Sequence, residues 1–344
     1  MTTTHKTAGL APPGPGDGGG AGTAAETTVR RRSWAGLALD LGIYLALLAL
    51  VIYFSVSSEF FLTERNLLNI GQAIAVTGIL AAGMTVALIA GQLDLTIGAT
   101  QGLTSVMTAT ALQNWGLGIW ASLAVGLLVG LAVGAVNATL VVGVGINSII
   151  ATLAVSIAVY GLSLQITDGE NVVVTDTTLQ DAVNSRPLGL PAPLIVMIVL
   201  YAVLYVVLSY TRFGYHVYAT GGNEIAAQRT GIRVRPLYVA VLVLCAVLAG
   251  ITGIISTGRA GSGGPTFGQG AEFDVLAAVL LGGIGLGGGA GRIQRTLAGV
   301  LLIGVLNNGL TLLDVDSYTQ KLVRGLVFVL AVVLGAIAER KSRR

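Results

Sequence analysis

Residues 211–236, TRFGYHVYATGGNEIAAQRTGIRVRP, form a wet stretch between two apolar runs, 192–210 and 237–255. Arg212, Arg229, Arg233 and Arg235 stand there against a single acid, Glu224. Lys and Arg resist translocation, so a short loop with this bias is held on the cytoplasmic side of a membrane. Asn223 is placed to cap a short helix, and Glu224 falls in its first turn, where the helix dipole favours an acid. Gly231 supplies the stop. The spacing predicts a helix over 224–230, with Arg229 near its end. Ala226 and Ala227 give it a smooth side against which a partner can pack closely. Charge alone is also satisfied by an ordinary basic loop.

Outward from this stretch the chain is greasy. Of 344 residues, 54% are hydrophobic and 10% charged. A soluble domain carries about a quarter charged residues, so the composition predicts an all-α, polytopic membrane protein. Ten apolar segments are expected, over 36–56, 66–90, 96–113, 118–142, 146–166, 192–210, 237–257, 272–289, 296–313 and 320–338. Arg30, Arg31 and Arg32 precede the first segment, and Arg340, Lys341, Arg343 and Arg344 follow the last. Ten crossings that begin in the cytoplasm also end there, and six place residues 211–236 inside, as the basic residues require. Residues 167–191 would then be the largest outer loop, with Asp168, Glu170, Asp176 and Asp181 against Arg186. Residues 1–33, rich in Gly, Pro, Ala and Thr, read as a disordered cytoplasmic tail without the apolar core of a signal peptide. Residues 34–339 form the transmembrane domain, and 340–344 a basic cytoplasmic end.

The net charge of +3 reports topology and gives no reason to expect nucleic-acid binding. One cysteine and two histidines leave no convincing metal site and no intrachain disulfide. No phosphate-loop motif is present, so ATP is not expected to bind this chain. Gly283-x-Gly285-x-x-Gly288 has the form of a dinucleotide fingerprint, but no strand–turn–helix unit surrounds it. Glycines at this density, Gly282, Gly283, Gly287 and Gly288 among them, allow close backbone contact or local unwinding. A faint echo links Gly134-x-x-Asn137 to Gly304-x-x-Asn307. It suggests that segments two to five and seven to ten are inverted repeats.

Polar residues within apolar runs are the candidates for a translocation path. Asp94 either lies near a pore or gate, or marks an inner loop and caps the helix after it. Asn147 reads as the cap of the fifth segment. Asn307 and Asn308 face about 100° apart on a helix. They act as glue between helices or as a hydrogen-bonding surface for a solute, and Asn137 joins them by the echo.

The segment 221–232, G-G-N-E-x-A-A-x-R-x-G-I, closely resembles the coupling-helix loop of the membrane subunits of bacterial ribose-type ABC sugar importers. These belong to the branched-chain amino acid/ribose permease superfamily, and the resemblance runs from Phe60 to about Ala338. GQLDLTIG (91–98) is similar to the family's G-G-I-D-L-S-x-G, with Gln92 and Thr96 as departures. Glu272, Asp274, Ala277, Ala278, Gly282 and Gly283 match a second family motif, in which Ile284-Gly285 replace a Thr/Ala-Ser pair. LNNGL (306–310) matches fully.

The resemblance implies a permease for a monosaccharide in the bacterial plasma membrane, with both termini cytoplasmic. Its partners would be a separate ATPase that holds ATP and Mg, an extracytoplasmic binding protein, a second permease copy or paralogue, and membrane lipid. Related machines carry nucleosides, branched-chain amino acids or a sugar-like signal. A self-sufficient secondary transporter would carry more ionisable residues within its spans than Asp94 and Asp40. No constellation here supports an enzyme.

Overall fold

A computed structural model describes residues 34–342, with side chains from 42 to 333 and at 335. The expected tail, 1–33, and the end of the basic terminus, 343–344, lie outside the described residues. Among the described residues each expected apolar segment overlaps a helix, the eighth over its first part alone: α1 (Trp34–Ser57), α2 (Glu64–Ile89), α3 (Ile97–Gln113), α4 (Ile119–Ala138), α5 (Ser148–Thr167), α7 (Ala192–Tyr210), α10 (Val234–Ala260), α11 (Ala271–Leu281), α12 (Ile293–Leu312) and α13 (Ser317–Ser342). Between them lie three shorter helices, α6 (Thr178–Asn184), α8 (Arg212–Gly222) and α9 (Glu224–Arg229). Among the described residues, six helices are long and apolar enough to cross a membrane: α2, α4 with its π-helical extension to Val144, α5, α7, α10 and α12.

Local signals set the helix ends. Thr63 caps α2 through a 3.4 Å bond from the Asn66 N–H, and Glu64 occupies the first turn. Asn147 caps α5, accepting the Ile149 N–H at 3.0 Å. α5 stops where Asp168 turns left-handed, at φ 51°.

Two long helices organise the bundle. α10 packs on α3 and α4, and α2 packs in the corresponding way on α11 and α12. α3 packs on α5, as α11 does on α13. The contacts therefore pair the units α2–α5 and α10–α13. The two echoed glycines sit at matching crossings. A Cβ on Gly134 in α4 would lie 2.9 Å from the Val243 Cα of α10, and one on Gly304 in α12 would overlap Ile74 of α2. Small residues let apolar helices approach where no water is available to drive them together.

The eighth segment differs from expectation. α11 ends at Leu281, and residues 282–292 are not helical. Residues 261–270 pack partly into the bundle. Gly263, Gly264 and Pro265 are buried, and a Cβ on Gly102 of α3 would come within 2.6 Å of the Pro265 carbonyl. Five of these ten residues are glycine and one is proline, a composition that cannot sustain a helix. Protein buries part of this irregular backbone, the condition under which such backbone is tolerated within a membrane. A two-residue antiparallel pairing, Val172–Val173 with Ser262–Gly263, ties the 167–191 connection to the same segment.

Candidate functional site

The wet stretch folds into α8 and α9. Thr211 caps α8 by accepting the Gly214 N–H at 3.3 Å. Asn223 is extended, at φ −162° and ψ 101°, and turns the corner between the two helices. Its N–H donates to the Ala219 carbonyl at 3.1 Å, closing α8. Its side-chain oxygen accepts the Ala226 N–H at 2.9 Å, opening α9. Glu224 accepts bonds from Gln228 within α9 (2.9 Å) and from the Tyr238 hydroxyl of α10 (3.1 Å). The helix ends at Arg229, with Thr230 as its C-cap and Gly231 left-handed at φ 88°.

The side of α9 that is offered outward differs from the expected one. Ala227 is 3% exposed and faces the chain's own packing. Ile225 is 64% exposed, and Ala226, Gln228 and Arg229 are open beside it. Sequence reasoning missed Ile225 because a helix of six residues has no period from which to read a buried face.

Behind α9, three stretches of backbone meet with no side chain between them. The Gly289 N–H donates to the Ile89 carbonyl at the end of α2, at 2.8 Å. A Cβ on Gly221 would overlap that same carbonyl, and one on Gly288 would lie 3.0 Å from Gly221 O and Gly91 Cα. The glycines of the 282–292 connection thus serve close approach. Gly282 closes α11 against α12, where a Cβ would lie 2.8 Å from the Arg295 carbonyl. Gly283 is left-handed at φ 80°. Gly287 lies on the exposed side of the same loop. Ile284, one of the two departures from the second family motif, is fully buried and packs on Gly291.

A cavity of 580 Å³ opens beside this junction, lined by Tyr205, Tyr215, Tyr218 and Arg292 among others. The Tyr218 hydroxyl donates to the Gly291 carbonyl at 3.0 Å. Burial pushes that hydroxyl above its ordinary value, and Arg292 pulls it partly back.

Asp94 is fully buried between α2 and α3. It is not the N-cap of α3, a position held by Thr96. Its Oδ1 accepts the Thr96 N–H (2.9 Å) and hydroxyl, and more weakly the Asn137 amide of α4 (3.4 Å). Asn137 also donates to the Thr96 hydroxyl at 2.8 Å. Asp94 and Asn137 therefore form one buried polar cluster, whereas Asn307 and Asn308 lie elsewhere. Asn308 exchanges two bonds with Asn66 of α2, at 3.0 and 2.8 Å. Asn307 is half-buried, and its side-chain oxygen lacks a hydrogen-bond partner.

The described residues thus form a helical bundle with six helices long and apolar enough to cross a membrane, and with the capped pair α8–α9 set between two of them, which is the class of a polytopic membrane protein. The family model described as "Branched-chain amino acid transport system / permease component" matches residues 66–332, and the chain belongs to that family. It is 39% identical over 296 residues to the ribose import permease protein RbsC of Escherichia coli strain K12, covering 84% of this chain and 91% of that one. The Bacillus subtilis ribose import permease protein RbsC is 39% identical over 311 residues, 90% and 96% of the two chains. The D-allose transport system permease protein AlsC of E. coli strain K12 is 32% identical over 297 residues, 86% and 91%. No solved structure matches.

Proposed function

We propose that this chain is the membrane-spanning subunit of an ABC importer for a monosaccharide, with α8 and α9 on the cytoplasmic side as the seat of a separate ATPase. The observation that carries the reading is α9 itself. It is capped at one end by Asn223, stopped at the other by Gly231, and tied to α10 through Glu224 and Tyr238, while Ile225, Ala226 and Arg229 stay open. A short helix held this firmly, with an exposed apolar residue beside a cation, suits a groove in a partner. The relatives named for ribose and allose import point to a monosaccharide. Delivery by an extracytoplasmic binding protein and a second permease copy complete the proposed machine. ATP and Mg belong to the ATPase.

The test is Ile225→Asp, with the ATPase and the binding protein co-expressed. The permease should accumulate in the membrane with unchanged thermal stability, because Ile225 touches little of its own chain. ATPase capture and ATP-driven sugar uptake should both fall, by about 2 kcal/mol in the association, the scale of a central interface residue. Wild-type uptake by the permease without any ATPase would refute the importer reading.

A further inference from the structure

One short segment, residues 91–96, joins the backbone junction behind α9 to the base of α5. At its start, Gly91 lies against Gly288, which in turn lies against Gly221 of α8. Two residues on, the Leu93 N–H donates to the Ser148 hydroxyl at 3.2 Å, and the Leu95 N–H donates to the Thr152 hydroxyl at 3.1 Å. Both hydroxyls belong to the first two turns of α5. The match is geometric. Residues i and i+4 of a helix share a face about 6 Å apart. The Leu93 and Leu95 amides, two residues apart on the 91–96 segment, meet that face together. Asp94, the residue between them, turns to the other side and is held by Thr96 and by Asn137 of α4. The Thr152 hydroxyl donates its own proton to the Ser148 carbonyl at 2.7 Å, so its lone pairs are free to receive Leu95.

Beyond its base, α5 buries one face, through Val155, Val159 and Ser163. It packs chiefly on α3, and Ile150, Leu153, Ile157 and Ile166 along it are exposed. A helix gripped at its base and packed chiefly on one neighbour is placed to follow a displacement of that base. Dry glycine contacts between α8, the 282–292 connection and the 91–96 segment leave no slack for side chains to absorb.

The geometry points to Ser148 and Thr152 as positioning residues that pass displacement of α8 and α9, through residues 91–96, to α5. The inference rests on the importer reading and adds the route by which ATP use is converted to movement of the sugar path. In this role the two hydroxyls touch neither ATP nor sugar.

The experiment uses the assembled importer, with its ATPase and its sugar-binding protein, in proteoliposomes. Ser148→Ala and Thr152→Val remove the hydroxyls at nearly constant volume. ATPase co-purification and ATP hydrolysis should stay close to wild type. Sugar moved per ATP should fall about tenfold in the double variant, the size that a coupling residue can command. Ser148→Thr and Thr152→Ser, which keep the hydroxyls, should restore it. If the double variant fails to accumulate, the comparison of Thr152→Val with Thr152→Ser decides the matter. An unchanged ratio of sugar to ATP in the hydroxyl-less variants overturns the linkage. So does a fall in hydrolysis and uptake together that the hydroxyl-bearing variants do not repair. The importer reading fails separately, if wild-type permease neither captures an ATPase nor moves sugar on ATP.

Discussion

Two adjacent glycines at the end of α8 should respond to alanine with opposite signs. Gly221 and Gly222 are both helical, so alanine gains about 0.5–1 kcal/mol of backbone entropy at either. At Gly222 nothing opposes the gain, since the nearest atom to an added Cβ is the Gly289 Cα at 4.0 Å. At Gly221 the Cβ would overlap the Ile89 carbonyl oxygen and come within 2.6 Å of the Gly289 nitrogen. Those atoms are backbone and cannot rotate aside. Overpacking of this kind costs about 1–3 kcal/mol, and separating the Ile89–Gly289 hydrogen bond adds about 1 kcal/mol. The net expectation is a loss of about 1–3 kcal/mol for Gly221→Ala and a slight gain for Gly222→Ala. Thermal unfolding of the two purified variants reads the sign, and ATPase capture reads the consequence for α9. If Gly221→Ala is as stable as Gly222→Ala, the three backbones are not in contact and the junction does not exist as described.

Asn308→Ala should lower stability by about 1–3 kcal/mol, because it takes the donor from the Oδ1 of buried Asn66, whose Nδ2 keeps only its bond to the Phe61 carbonyl. Asn307→Ala, which removes an oxygen without a partner, should change thermal unfolding little; equal effects would contradict the placement of the two amides. Asp94→Leu should be more damaging than Asp94→Asn, since it strips an acceptor from the Thr96 N–H and hydroxyl and from Asn137. Near-normal thermal stability in Asp94→Leu would show that the buried cluster does not hold residues 91–96. Asp316 is fully exposed, and bonds from the Thr319 hydroxyl and N–H and from the Tyr318 N–H hold its carboxyl below the usual range. A depressed value stabilises the fold above the ordinary carboxylate value and is lost as pH falls through the lowered one. Asp316→Asn should therefore flatten the acid limb of the unfolding profile; an unaltered limb would exclude Asp316 from it.

The elements that could be read from the chain are those whose signals are local. The cap and the stop of α9 lie eight residues apart, at Asn223 and Gly231, and each acts on its own backbone. The cap of α5 at Asn147 is of the same kind. Nine of the ten apolar segments coincide with helices because about 20 apolar residues in succession leave the backbone no other way to satisfy itself in lipid. α8 was missed although its cap, Thr211, stands in plain view. Gly214, Gly221 and Gly222 make its eleven residues look like a loop. Gly214 and Gly221 are there because neighbouring backbone lies against them, against Leu208 and Ile89 respectively.

Distance along the chain sets the limit on the rest. Glycine density around 282–291 announces close contact but does not name the partner, since Gly289 meets Ile89 and Gly222, residues 200 and 67 positions away in the sequence. Asp94 is the sharper case. A carboxylate between two apolar runs has two local solutions, a cap at the surface or a paired group in the interior. Local sequence favours neither, because Thr96 lies within reach in both. What decides is Asn137, on a different helix, together with Ser148 and Thr152 on a third, which take the amides on either side. Asn137 thus holds Asp94 while Ser148 and Thr152 hold the amides on either side, so residues 91–96 are tied to α4 and α5 at once. A surface cap would have needed none of these long-range partners, and the buried arrangement binds the segment to two helices.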